Sequence, residues 1–145
     1  MKTINPKRDF GSEYFDVGDI DIVNLIIQQI NIENNNDVKL NFQECITDYP
    51  ATSKILDKVL EQLNKLPGEK SLLITLGLAD DPVHLLNGLF FGSNFLGIQE
   101  DSDILPLEDM KKLIDQKIVQ ADINITIQQV DNKTGNIINT YYESN

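Results

Sequence analysis

The chain has no tryptophan, one cysteine and one histidine in 145 residues. The single thiol, Cys45, has no internal disulfide partner, so the fold must hold by packing alone. A chain of this length buries about 70% of its unfolded surface and needs no crosslink to do so. A lone buried thiol also fits a reducing compartment. No apolar run approaches the ~20 residues that span a bilayer, and the opening MKTINPKRDF lacks the apolar stretch of a signal peptide, so a cytoplasmic location is expected. Basic residues are scarce: 12 Lys and Arg face 23 Asp and Glu, a net charge of -11. That balance disfavours nucleic acid and anionic membranes, whose phosphates would be repelled. It is compatible with a basic protein partner, and equally with acidity that only maintains solubility.

What is present is an ordinary globular share of 41% hydrophobic and 24% charged residues, weighted toward 19 Ile and 15 Asn. Residues 1–17 read as an extended arm or short strand around Phe10, Tyr14 and Phe15. From Asp19, apolar residues at Ile20, Val23, Ile27 and Ile30 follow helical spacing, with a strand as the rival over 19–23 because of the β-branched content. Val38, Leu40 and Phe42 alternate with Lys39, Asn41 and Gln43, which predicts a strand over 38–46. A helix is expected over 53–66, capped by Thr52 or Ser53, with Ile55, Leu56, Val59, Leu60 and Leu63 inward. Asp57 and Glu61 then form a like-charge pair on its outer side. The run SLLITL, 71–76, is apolar enough for a strand covered on both faces.

Next comes a helix over about 82–91, with Val83, Leu86, Leu89 and Phe90 inward. A loop follows in which Phe95 and Leu96 fold back onto the core. Pro106 opens a further helix, with Leu107, Met110, Leu113 and Ile114 inward. INITIQQV and NIINTYY close the chain as a hairpin around DNKTG, where Gly135 takes the positive-φ position. Strands alternating with helices give an α/β fold: a single-domain layered structure with a mixed sheet, a βαβ core and a C-terminal β-hairpin.

The chemistry-bearing residues are few. Asp80, Asp81 and His84 follow the 71–76 strand, and ligands of open α/β sheets do bind beyond strand carboxyl ends. Ordinary helix initiation explains the same residues, with Asp81 as N-cap and Pro82 at the first helical position. Asp101-Ser102-Asp103 lacks the glycine and distal glutamate of a calcium loop. One His and one Cys give no zinc spacing. Gly88, Gly92 and Gly97 have no strand–turn–helix setting for phosphate. No metal and no cofactor is expected.

The stretches RDFGSEYFDVGDIDIVNLIIQQI, DVKLNFQECITDYPATSKILDKVLEQL and KSLLITL together resemble the STAS-like domain family of unknown function. The match covers roughly residues 8–76 and is carried by Phe10-Gly11, Leu40-Asn41-Phe42 and the strand–turn–helix spacing. The strand aspartate of the family is Asn41 here, and its serine-rich turn is replaced by Tyr49-Pro50-Ala51. The resemblance implies a non-enzymatic regulatory domain that binds a protein partner and responds to a nucleotide or to phosphorylation. Its partner or switch surface would comprise Asp48, Tyr49, Thr52 and Ser53, with the neighbouring helix and the turn at Asp80, Asp81 and His84. Two other readings stand beside it: an acidic inhibitor or immunity protein for a basic partner, and a small enzyme using Asp80, Asp81 and His84 as acid and base.

Overall fold

A computed structural model describes residues 1–10, 20–43, 50–77, 81–99 and 103–144. The N-terminal arm is a strand, β1 (Lys2–Ile4), followed by a short helix, α1 (Pro6–Phe10). Then come α2 (Ile20–Gln29), β2 (Asp37–Phe42), α3 (Pro50–Asn64), β3 (Lys70–Leu76) and α4 (Pro82–Phe90). The chain ends with α5 (Leu107–Ala121), β4 (Ile123–Val130) and β5 (Ile137–Glu143). The five strands form one mixed sheet in the order β1-β2-β3-β4-β5. β1 to β4 are parallel neighbours, and β5 returns antiparallel to β4. The central pairing joins Val38 to Leu72, Leu40 to Ile74 and Phe42 to Leu76, so the expected parallel βαβ core is present.

Sequential parallel strands constrain where the helices go. Each crossover steps one strand further in the same direction, and right-handed crossovers then put every connecting helix on one face of the sheet. The packing agrees. Alternate residues Leu40, Phe42, Leu72, Ile74, Ile125 and Ile127 share one core with Val23 and Ile26 of α2, Leu56 and Leu63 of α3, Leu86 and Phe90 of α4, and Met110 and Ile114 of α5.

Among the described residues, helices cover one face of 71–76; on the other, Leu73 is half-buried and Thr75 is only 3% exposed. On the other side Leu73 lies in register between Lys39 and Thr126, and Thr75 between Asn41 and Gln128. The neighbours on this face are polar and part-buried. Cross-strand hydrogen bonds knit it: Thr75 Oγ1 donates to Asn41 Oδ1 at 3.0 Å, and Ser71 Oγ to Asp37 Oδ1 at 2.8 Å. The strand expected over 38–46 is described only to Phe42, after which the Gln43 N–H turns back onto Asn41 Oδ1 at 2.8 Å. Cys45 lies outside the described residues.

Buried amides close the connections. Asn87 is fully buried on α4; its Nδ2 donates to the carbonyls of Val83 (2.8 Å) and Leu105 (3.0 Å), and its Oδ1 accepts the Leu105 N–H at 2.9 Å. Gln62 of α3 accepts the Ile32 N–H at 2.8 Å and donates to the Ile30 carbonyl at 2.6 Å. Gly77 follows β3 where a Cβ would stand 2.4 Å from the Gln43 carbonyl oxygen, so no larger residue fits there without moving the backbone.

The closing hairpin departs from plain alternation. Ile127 pairs with Tyr142 and Gln128 with Thr140, so Tyr141 is an extra residue on β5; Ile138 is a second, between the Gln129–Asn139 and Val130–Ile137 pairs. Such bulges turn successive side chains the same way. Tyr141 and Tyr142 are accordingly both buried, at 6% and 5% exposure. Tyr141 donates to Gln129 Oε1 at 2.9 Å, and Tyr142 to Asp115 of α5. Burial pushes both phenols above their usual range, and for Tyr142 the bond to Asp115 and its charge add to the effect. At the tip, Gly135 has φ 73° as expected, and Asp131 Oδ1 accepts the N–H groups of Lys133 (2.8 Å) and Thr134 (2.9 Å).

Two outcomes are expected. Asn87→Ala leaves the Leu105 N–H and carbonyl without their partner, whereas the Val83 carbonyl keeps its helical bond, and costs about 2–3 kcal/mol, read as a lower urea midpoint with unchanged slope. The N–H groups of Thr134 and Lys133 hold the Asp131 carboxyl below its ordinary value of 3.8. A depressed carboxyl contributes stability above its unfolded pKa and loses it as pH falls through the lower folded value. The Lys133 and Thr134 amide NMR shifts should therefore titrate below the ordinary aspartate range, and a midpoint at 3.8 would contradict the turn described.

Candidate functional site

The turn after β3 is a helix start. Asp81 has an extended backbone, φ -124° and ψ 94°, and is the N-cap of α4; its Oδ1 accepts the His84 N–H at 3.1 Å. Pro82 opens the helix at a position whose N–H would have no partner. The Asp81 carboxylate thus serves the first turn of the helix, and the His84 side chain points to solvent. Asp80 lies outside the described residues.

The expected switch surface is arranged differently from the sequence reading. Asp48 and Tyr49 lie outside the described residues. The helix starts at Pro50 and not at 53, because Pro is compatible with the first helical turn. Thr52 and Ser53 therefore sit within α3 instead of capping it, and each is only 1% exposed. Neither presents its hydroxyl at a surface in this fold.

A groove appears elsewhere, where α3 and α5 are separated by residues 91–98. That segment is folded tightly on itself: the Gly92 N–H donates to the Ile98 carbonyl at 2.8 Å and the Gly97 N–H to the Ser93 carbonyl at 3.1 Å. Asp57 of α3 anchors it, accepting Ser93 Oγ on Oδ1 at 2.7 Å and the Asn94 N–H on Oδ2 at 2.9 Å. Ser93 Oγ in turn accepts the Phe95 N–H at 3.1 Å. The expected fold-back of this loop is present: Leu96 and Ile98 are buried and Phe95 packs half-buried against the core. Asp57 is not a repelled surface charge beside Glu61, as its spacing alone suggests. Both of its oxygens are engaged 36 and 37 residues away in the chain.

Two adjoining hollows form the groove. One, of about 480 Å³, is lined by Asn64, Asn94, Phe95, Lys117, Gln120 and Ala121. The other, of about 310 Å³, is lined by Asp57, Leu60, Glu61, Asn64, Asn94 and Phe95. Phe95, Asn64 and Asn94 border both, so the half-buried ring lies at their junction. Among the described residues, no hydrogen bond occupies the side-chain amides of Asn64, Asn94 and Gln120. Sequence reading found Phe95 as a core contact and missed the hollows. The Ser-Asn-Phe run beside glycines was the one available signal of a structured loop.

Among the described residues, no group of three or more His, Cys, Asp or Glu is placed to hold a metal ion, and no helix is long and apolar enough to cross a membrane. No family model, no curated protein and no solved structure matches the chain. The parallel β2–α3–β3 unit that the STAS-like resemblance requires is shared by many α/β domains and does not distinguish that family.

The capping role of Asp81 generates a test. Asp81→Ala should cost about 1 kcal/mol of stability, the usual value of an N-cap. His84→Ala, on the exposed side of the same turn, should stay within about 0.5 kcal/mol. Urea unfolding of the two variants reads both.

Proposed function

We propose that the chain is a non-enzymatic protein-binding domain, regulatory in the sense of the STAS-like resemblance, whose partner seats in the groove between α3, residues 91–98 and α5. One observation carries this reading: the two hollows meet over Phe95, and unoccupied amides rim the larger of them. A half-buried aromatic ring offers a partner an apolar anchor, while free amides match the donors and acceptors of a peptide backbone. Anchoring by Asp57 presets the groove wall, so little ordering is required on binding. Nothing in the reading uses Thr52 or Ser53, whose burial does not favour a phosphorylation switch there.

A second reading rests on charge. The described ion pairs are surface contacts, Lys2–Glu33, Arg8–Asp9, Lys65–Glu61 and Lys111–Glu108. With 23 acids and 12 bases, these leave a large surplus of carboxylate for a basic partner. On this reading the complex weakens steeply with salt. On the groove reading, contact around Phe95 depends on salt only weakly.

A photo-crosslinking residue at Asn94, introduced in the cells that make the protein, should capture a discrete partner. The same residue at Val119, which is 83% exposed on α5, should not. Asn64→Ala combined with Gln120→Ala leaves stability within about 1 kcal/mol, because both are exposed, and should lower the Asn94 yield at least several-fold. Equal capture from Asn94 and Val119, or capture indifferent to the double variant, overturns the groove as the binding surface.

A further inference from the structure

We propose that the outer edge of β5 is the seam of a weak, two-fold symmetric homodimer, in which the β5 strands of two copies run antiparallel. This is independent of the groove. β5 is the last strand of the sheet and pairs only with β4 among the described residues, leaving one row of backbone groups without a strand partner. The opposite edge is protected as edges usually are: β1 has three residues and carries Lys2. β5 has seven residues, with no proline, no lysine and a single charge at its end, Glu143. Its β-branched and aromatic content favours pairing.

The hairpin also presents apolar surface. β3 ends at Leu76, paired with Gln129, so Val130 and Ile137 lie beyond the end of that strand. At this end of the hairpin Val130 is buried, whereas Ile137 is 59% exposed and Ile138 48%. The bulge at Ile138 is part of the cause, since it turns two adjacent isoleucines away from the core. The two bulges also limit the straight run that a neighbour can extend. A pair of such short segments falls below the roughly 1,200 Å² of stable interfaces, so the dimer is weak and depends on concentration.

Charge selects a second copy as the occupant. Residues 134–142, TGNIINTYY, contain no charged side chain in a protein whose net charge is -11. A basic partner finds no ionic handle on this stretch. Two copies, which repel each other elsewhere, approach here at least electrostatic cost. An antiparallel pairing about a two-fold axis uses the same stretch twice, as a closed isologous contact must, and lets the isoleucines of one arm cover those of the other.

Sedimentation equilibrium over a wide concentration range tests this at low and high sodium chloride. The expected result is an average mass that rises from 16.4 kDa toward about twice that value with concentration. It should rise further in high salt, because screening relieves repulsion between like-charged copies. Ile138→Glu should remain monomeric, and Leu25→Glu, at a 59% exposed site on α2, should associate as the unmodified chain does. Hydrogen exchange on the unmodified chain should show slower β5 amides at high concentration, which localises the contact even if a variant folds poorly. A mass of 16.4 kDa under every condition overturns the proposal. So does association that weakens with salt, that survives Ile138→Glu in a folded chain, or that leaves β5 exchange unchanged.

Discussion

The parallel ladder from β1 to β4, laid down in chain order, is the constraint on which the rest depends. It sends α2, α3, α4 and α5 to the same side, so the face of Leu40, Leu72 and Ile125 carries the core shared with the helices, and the other carries Lys39, Asn41, Ser71 and Thr126 beside Leu73 and Thr75. The crossover from β3 to β4 is the longest and must hold α4, residues 91–98 and α5 above two adjacent strands. Residues 91–98 wedge between α3 and α5, and the groove is the gap that this wedge leaves open at the surface. Its position is thus a consequence of topology, and its fixed shape is a consequence of Asp57.

Hydrogen bonding in this chain reflects its shortage of cations. With about half as many Lys and Arg as Asp and Glu, many carboxylates have no lysine or arginine to pair with. Asp57, Asp81 and Asp131 instead accept from backbone N–H groups: Asp81 and Asp131 fix a helix start and a turn nearby, and Asp57 fixes the remote loop at Asn94. Neutral amides also reach across the chain: Asn87 holds the approach to α5 at Leu105, and Gln62 holds the turn at Ile30 and Ile32. Bonds of this kind act at contact distance and are little affected by salt. The surplus negative charge therefore bears on association far more than on folding.

Periodic burial made most of the elements legible in the sequence. The alternation of Val38, Leu40 and Phe42, and of Ile123, Ile125 and Ile127, matches their observed inward faces, and the helical stripe from Ile55 to Leu63 is the core face of α3. The features that escaped share a different origin. Asp57 reads as a surface acid because its partners Ser93 and Asn94 are remote in sequence. Thr52 and Ser53 read as caps because Pro50 conceals an earlier helix start. Tyr141 and Tyr142 break the two-residue period through a bulge that no local pattern announces. The resemblance to STAS-like domains spans only the part governed by periodicity, and the groove depends on residues 91–98 and α5, which lie beyond it.

The two surfaces differ in the one property that composition sets most strongly. The groove brings Glu61 and Lys117 to its rim around an aromatic ring, so it presents apolar surface with charge of both signs. The β5 arm has isoleucine and backbone groups and no charge over residues 134–142. In a protein of net charge -11, an uncharged edge is where like molecules meet most easily, and a mixed groove is where unlike ones are told apart. β5 is an edge of the sheet, whereas the groove lies on the helical layer between α3 and α5, so pairing through one leaves the other open. On the two proposed readings, self-association and partner binding use separate surfaces, and salt favours the first while changing the second little.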